Sequence, residues 1–533
     1  MSGCDDFDWQ DLQRPILEPP IDSLDEESND TVIETPEISD ETPIKTPSED
    51  VEVDFDDIRD QILLDMPTMI NRNFILPTYE GVHMFWILND QAFQDEFFYQ
   101  SPLYDQYQTL QFAISDGFRT SHYTTDIFLV AMESGLNENK LYITASTPIH
   151  QINRNDYSMV EMIFTTNKNG EETIEHVDLN VEMRGRGNST WDMPKKPYRI
   201  RFDQDTAILD LPSARNYVLL AEYSDKSLLR NTIVHKFSSM LEHIEHHIET
   251  RFIELYYNEE YQGVYVLTEQ VESHRNKLYV DVDYSKLDAG FFIEQDQRMF
   301  ESNIPVGLHW FELSGRGYDI KRPNTSNDKY LQAHTNYILD YFFAIEQALI
   351  TQEGYEDLID VDNFIDYFIV QELIKNVDVG WSSIFMYKRQ NDVLKMGPLW
   401  DFDLAIGNAN YIDYGVENFY GFAHNKNRFF HLMMHIPDIR YRFQQRYNEI
   451  YLEMIPELLT FVDQISTSIY PQALRNFERW DILHHYVWPN TPEMLQATTY
   501  QGQVDFVKHY LEARALWLYQ TINTQAFLDG HYT

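Results

Sequence analysis

One cysteine, Cys4, stands in a chain of 533 residues. Such a chain cannot close an internal disulfide or build a thiolate metal cage, so side-chain burial must hold its fold together. With 43 % hydrophobic and 14 % aromatic residues, it has the material for a sizeable core. At roughly 100–200 residues per domain, the length suits two to four domains. No run of about 18 apolar residues occurs, so no helix is expected to span a bilayer.

The position of the cysteine is as informative as its number. In Met1-Ser2-Gly3-Cys4-Asp5, small residues precede the thiol and acids follow it. This resembles a bacterial lipobox without its apolar stretch. It implies an exported lipoprotein, extracytoplasmic and anchored at the cell surface, that touches the membrane only through a lipidated Cys4. Residues 5–60 hold 21 Asp/Glu against three basic residues, with Thr-Pro pairs at 35–36, 42–43 and 46–47. Self-repulsion and proline predict a disordered acidic linker, in which Thr35, Thr42 and Thr46 are also candidate phosphoacceptors. Over the whole chain 87 acidic residues face 40 basic ones, a net charge of −47. That balance excludes a non-specific nucleic-acid or anionic-membrane binder and suits a basic partner.

Beyond the tail, residues 61–150 read as β-rich, with alternating runs at 81–88, 126–132 and 140–145. Strands are expected at 177–183 and 196–202, and a hairpin at 251–257 and 263–268. A helix capped by Asp225 is expected over 226–242. Helices at 328–351 and 361–376 precede a short hairpin at 384–388 and 393–396. Beyond about 428 the chain reads as mainly helical, with long segments near 440–451 and 503–521. A mixed part followed by a helical part suggests two lobes with a cleft.

Three stretches could carry chemistry. The polar loop at 184–191 offers Arg184, Gly185, Arg186, Gly187 and Asn188: guanidinium forks match phosphate oxygens, and glycine lets the backbone approach an anion. The same residues also describe a hairpin turn with surface arginines. Lys195 and Lys196 enter the next strand, where alternation lets one of them face a cleft. Asp378, and Asp401 and Asp403 among apolar neighbours, form the third stretch. Carboxylates in that company are costly to bury without a cation or hydrogen bonds, and Mg²⁺ takes one or two carboxylates plus phosphate oxygens. Turn-capping acids are the alternative. His243, His246 and His247 read as a solvated helix end.

The strings RGRGNSTW (184–191), PKKPYRIRF (194–202), LLAEYSDKSLLRN (219–231), ELYYNEEYQGVYVLTEQVE (254–272), GFFIEQD (290–296), KNVD (375–378) and GPLWDFDLAIGN (397–408) resemble the CotH kinase family. The resemblance implies an α+β, divergent two-lobed protein-kinase-like fold over 151–533, with a mainly helical C-terminal lobe. It implies transfer of the ATP γ-phosphoryl group to Ser/Thr of secreted or surface proteins, with Mg²⁺ or Mn²⁺. Arg184 to Asn188 would lie over the phosphates and Lys196 would pair with them. Residues 268–272, with Glu269 and Val271, would form a hinge against adenine. Asp378 would be the catalytic base, with Asp401 and Asp403 on the metal. A Ser/Thr-rich, basic protein is the expected acceptor. Two departures from ordinary kinases stand out. The helix after Asp225 has no central Glu, leaving Glu222 and Glu254 as candidates to pair the lysine. Ser383 takes the place of the usual Asn five residues after the base. A non-catalytic surface adhesin on the same fold is the rival reading, and a carbohydrate-active enzyme a third.

Overall fold

The computed structural model describes residues 54–531 apart from 67–68, 71–73, 80, 89–90, 94–95, 98–105, 130–137, 169–170 and 424. Cys4 and the three Thr-Pro sites lie outside the described residues, as does the acidic segment up to 53. The described part is mixed α+β, with three larger sheets and a helical C-terminal half. No described helix is long and apolar enough to cross a membrane.

Helix Phe55–Asp65 precedes a five-stranded sheet in the order Met69–Ile70, Thr120–Leu129, Gln106–Ser115, His83–Leu88, Gln91–Phe93. The next seven strands close into a barrel. Its order is Glu171–Gly185, Tyr198–Thr206, Ala214–Leu220, Glu260–Glu269, Thr250–Tyr257, Glu138–Thr144 and Ser158–Lys168, which pairs back onto the first. Period-two alternation decides what fills it. Tyr198, Ile200 and Phe202 point inward, while Arg199 and Arg201 take the outer face. The third sheet, in the order Trp310–Leu313, Arg316–Arg322, Phe291–Gln295, Ile384–Lys388, Lys395–Met396, lies in the helical half.

Helix Val361–Leu373 is buried along most of its length, and its N-terminus is capped by Asp360, which accepts from Asn363 N–H at 3.1 Å. It carries the chain to Asp378. Helix Gln332–Thr351 and the long helix Tyr500–Ile522 pack into the same apolar cluster. The strand and helix assignments made from alternation recur with ends moved by a few residues. One start moves for a chemical reason. The helix expected from 226 begins at Arg230, because Asp225 holds residues 226–229 in a turn. Its carboxylate accepts from Ser227 N–H at 3.0 Å and Arg230 N–H at 2.8 Å, competing with the helical pattern.

Candidate active site

Barrel register brings one group of side chains together. Gly185 pairs with Tyr198 and Tyr198 with Leu219, so residues 186, 195–197 and 220–222 all leave the barrel at one end. There Arg186, Lys195 and Glu222 line a narrow recess together with Asn231, Asp401 and Asp403. Lys196 is not on that wall: its ammonium donates to Trp191 O and lies 5.3 Å from the Trp191 ring. The strand starts only at Tyr198, so strand alternation does not govern the two lysines. Lys195 is the buried one. Its Nζ donates to Val264 O and, at 2.9 Å, to Asn476 Oδ1, and burial lowers it to about 7 against the opposing pull of Glu222.

Glu222 has left-handed backbone (φ +49°) and is 5 % exposed. Oε1 accepts from Asn231 Nδ2 at 2.9 Å, while Oε2 is buried without a partner. Burial, followed by the charges of Asp225 and Asp403, pushes this carboxyl well above the ordinary range. The other expected partner for the lysine, Glu254, is instead held by Arg475 at 2.8 and 2.9 Å.

The acids arrive from the helical half. After helix Val361–Leu373, Lys375 turns at φ +49°, and Asp378 N–H donates to Asn376 Oδ1 at 3.1 Å. Burial and the neighbouring Asp401 raise the Asp378 carboxyl to about 7, opposed by Arg298. Asp401 itself sits at φ +72°, a region costly for a non-glycine residue and found where surrounding structure over-determines it. That structure is visible on both sides. Ser383 Oγ donates to Asp401 Oδ2 at 3.1 Å, Phe402 N–H to Asn231 Oδ1 at 2.8 Å, and Ile406 N–H to Ile374 O at 2.9 Å. Arg230, ion-paired to Asp225 in full burial, donates to Ala405 O at 2.9 Å and Ile406 O at 3.1 Å. The Asp403 carboxyl is raised by burial and then by Asp401, Asp225 and Asp378. Half-buried Arg186 faces the charges of Asp401 and Asp403 and lies 5.6 Å from the Trp400 ring.

A separate cavity of about 370 Å³ is linked to this recess by one apolar cluster, in which Leu220 of the recess packs with Phe292 and Phe385 of the cavity wall. Its wall includes Gln270, Val271 and Glu272 on one side, Phe292 and Phe385 on another, and the cations Arg199, Lys321 and Arg322. Gln270 O accepts from Lys277 Nζ at 3.1 Å. Glu269 does not join that wall. Its side chain is buried and meets His246 Nε2 at 3.0 Å. His246 is therefore a packed partner rather than part of a solvated helix end.

Of the residues expected in the site, Arg186, Asp401 and Asp403 share the recess, and Asp378 interacts with both acids. Val271 lines the separate cavity. The rest of the 184–188 loop serves its own folding. Arg184 donates to Arg154 O at 2.6 Å, and Asn188 O accepts from Trp191 N–H at 3.1 Å. A Cβ on Gly185 would stand 2.2 Å from the Trp191 ring, and one on Gly187 2.3 Å from Thr190 Oγ1. Both glycines leave room for a neighbouring side chain. Sequence reasoning passed over Asn231, Asp296 and Arg298. Asp296 closes the GFFIEQD string and accepts from Arg298 Nε at 2.7 Å. An acid ending a fully buried strand was the available signal. Among the described residues no group of three or more His, Cys, Asp or Glu stands ready-made to hold a metal ion.

The chain is similar to inner spore coat protein H of Bacillus subtilis (strain 168), with 26 % identity over 237 residues, 43 % of this chain. The match spans 59 % of that protein's length. The profile described as CotH kinase protein matches residues 183–518, which hold the barrel end, the acidic recess and the cavity linked to it. The chain belongs to the CotH kinase protein family.

Proposed function

We propose that this chain is an atypical protein kinase that transfers the γ-phosphoryl group of ATP to Ser/Thr hydroxyls of secreted or surface proteins. The observation that carries the reading is the gathering of Asp401 and Asp403 with Arg186 and Lys195 in one recess, with the Asp378 carboxyl acting electrostatically on both acids. The barrel would act as one lobe and the helical half as the other. Val271 and its neighbours would meet the base, and Arg186 and Lys195 the phosphates. Phosphoryl transfer asks little covalent work of a protein beyond positioning, charge and a base.

Mg²⁺ or Mn²⁺ fits the residues present. Asp401 and Asp403 are hard oxygen donors that repel one another, and Glu222 Oε2 is an orphaned acceptor on the same wall. Two carboxylates plus phosphate oxygens are the usual protein share of an Mg²⁺ site. The ion, when bound, would neutralise charge on the phosphates. Asp378 would orient the acceptor hydroxyl and take its proton as the oxygen attacks the γ-phosphorus and the bond to ADP breaks. An acceptor rich in basic residues would complement the net charge of −47. Lipid attachment at Cys4 and a surface location belong to the same proposal. A Cys4→Ser form exported behind a lipoprotein leader should leave the detergent phase, and unchanged partitioning would refute the anchor.

The test is transfer of label from γ-labelled ATP to a basic Ser/Thr-rich acceptor with Mg²⁺ or Mn²⁺. Asp378→Asn should still bind metal-ATP but transfer about 10²–10⁴-fold more slowly. Asp401→Asn should lose both metal-dependent nucleotide affinity and turnover. Wild-type rates in both folded variants would overturn the assignment. One observation favours a second reading, a nucleotide-binding surface module without turnover. Ser383, standing where ordinary kinases place an Asn, spends its hydroxyl on Asp401. Metal-ATP binding without transfer to any acceptor would select it.

A further inference from the structure

Alternation splits the third sheet into two faces. Phe291, Ile293, Ile384 and Met386 point into the main core, while Phe292, Phe385 and Tyr387 pack against Val218, Leu220 and Val266 of the barrel. One step beyond the last pair of the ladder, Gln295 with Ile384, stand Asp296 and Ser383, and the Ser383 hydroxyl holds Asp401. The chain after Asp296 is docked on the turn that carries Asp378. Gln297 N–H donates to Trp381 O at 2.8 Å, and Trp381 N–H to Asp378 O at 2.9 Å. Arg298 follows. Its Nε and Nη2 donate to Asp296 at 2.7 and 2.9 Å, and Nη2 stands 3.8 Å from Glu294 Oε1. Among the described residues Nη1 has no protein partner, and the side chain keeps 33 % of its surface exposed. Burial opposes its charge, but Asp296, Glu294 and Asp401 raise the guanidinium above its ordinary value, and it in turn opposes the rise of Asp378.

We propose that Arg298 is a catalytic residue of the transfer, with Nη1 donating to the γ-phosphoryl oxygens of ATP and Asp296 as the positioning residue that fixes its plane. The assignment rests on the kinase reading above. In that reading Asp378 stands within reach of the hydroxyl that attacks the γ-phosphorus, so a cation turned to Asp378 and Asp401 meets the γ end of the nucleotide. Arg186 reaches Asp401 from the barrel and Arg298 from the third sheet, so guanidinium groups face that acid from both halves. The bond from the acceptor oxygen to phosphorus forms, the bond to ADP breaks, and Asp378 takes the hydroxyl proton. Charge meanwhile spreads over the γ oxygens, and a guanidinium locked in place beforehand stabilises it without reorganising. Arg298 itself exchanges no proton. The residue type matters, because a planar fork can hold Asp296 by two bonds and still present a third edge, which an ammonium cannot do.

The test is calorimetric titration of the full chain with Mg-ATP and with Mg-ADP, which needs no acceptor, followed by label transfer. Arg298→Gln should bind Mg-ATP about tenfold more weakly and Mg-ADP within about twofold of wild type, because ADP lacks the group that Arg298 holds. Its transfer rate should fall about 10²–10³-fold, with the acceptor KM little changed. Arg298→Lys should recover part of both losses. A folded Arg298→Gln protein that loses both nucleotides equally, or neither, overturns the assignment and leaves the kinase reading standing. Transfer by that variant at the wild-type rate does the same. Should Arg298→Gln fail to fold, the ratio of Mg-ATP to Mg-ADP affinity in Arg298→Lys decides, and a ratio equal to that of wild type overturns the assignment. A wild-type protein that binds neither nucleotide refutes the kinase reading, and the role of Arg298 falls with it.

Discussion

Lys195 and Lys196 carry the same charge one bond apart, and burial separates them. Lys196 has a carbonyl and an indole face for company, so Lys196→Ala should change stability by no more than about 1 kcal/mol in urea titrations. Lys195→Met keeps the volume but removes the ammonium beside Glu222, and should weaken ATP binding by at least about tenfold in calorimetry. A pH dependence belongs to the same scale. The folded Asp403 carboxyl is raised far above its unfolded value, chiefly by burial and then by Asp401. Between those two values the folded state binds the extra proton, so this group's stabilising effect, full at low pH, is lost as pH rises through the folded value. Without divalent cations, Asp403→Asn should therefore be more stable than wild type at pH 8 by about 1–3 kcal/mol, and equal to it near pH 4. Adding Mg²⁺ at pH 8 should narrow the gap. A wild-type protein more stable than Asp403→Asn at pH 8 without metal would contradict the account.

At the scale of elements, the segment 401–408 is held by what it packs against. Asn231 takes one of its amides, and Arg230 takes two of its carbonyls from full burial. Arg230→Met leaves Asp225 buried and unpaired, and should cost about 3–5 kcal/mol. Amide exchange at 402–406 should speed up before global unfolding does. A loss below about 1 kcal/mol would mean that the pair contributes little to this fold. The string GPLWDFDLAIGN was legible as acids in apolar company, but their anchor 170 residues earlier was not. Nothing local in LLRN announces that Arg230 and Asn231 reach across to the other half. The 184–191 loop shows a packing role that its sequence did not announce. Its arginines and glycines read as a phosphate cradle, and Gly185 also lets Trp191 lie against the backbone. Gly185→Ala should destabilise the fold by about 1–3 kcal/mol through that clash. Replacing Trp191 by Ala in the same protein should recover part of the loss.

At the scale of the molecule, a net charge of −47 is carried by a chain with few compensating cations. Self-repulsion of that size is screened by salt, so the melting temperature should rise between about 10 mM and about 150 mM ionic strength. If the acceptor is basic, its KM should rise over the same range, because the attraction is screened too. A KM that is flat with salt would remove charge from acceptor choice. Composition, alternation and motif order determined a great deal by themselves: the absence of internal disulfides, a β-rich first half before a helical second half, and acids at 401 and 403 set among apolar neighbours. Those readings rest on local periodicity and on the cost of burying charge, both of which are written in neighbouring residues. Only the tertiary structure decided that seven strands close into a barrel, that Lys195 rather than Lys196 is buried, and that Glu222 is the acid beside it. Those outcomes depend on strand register and on contacts between residues far apart in sequence, which no local pattern encodes.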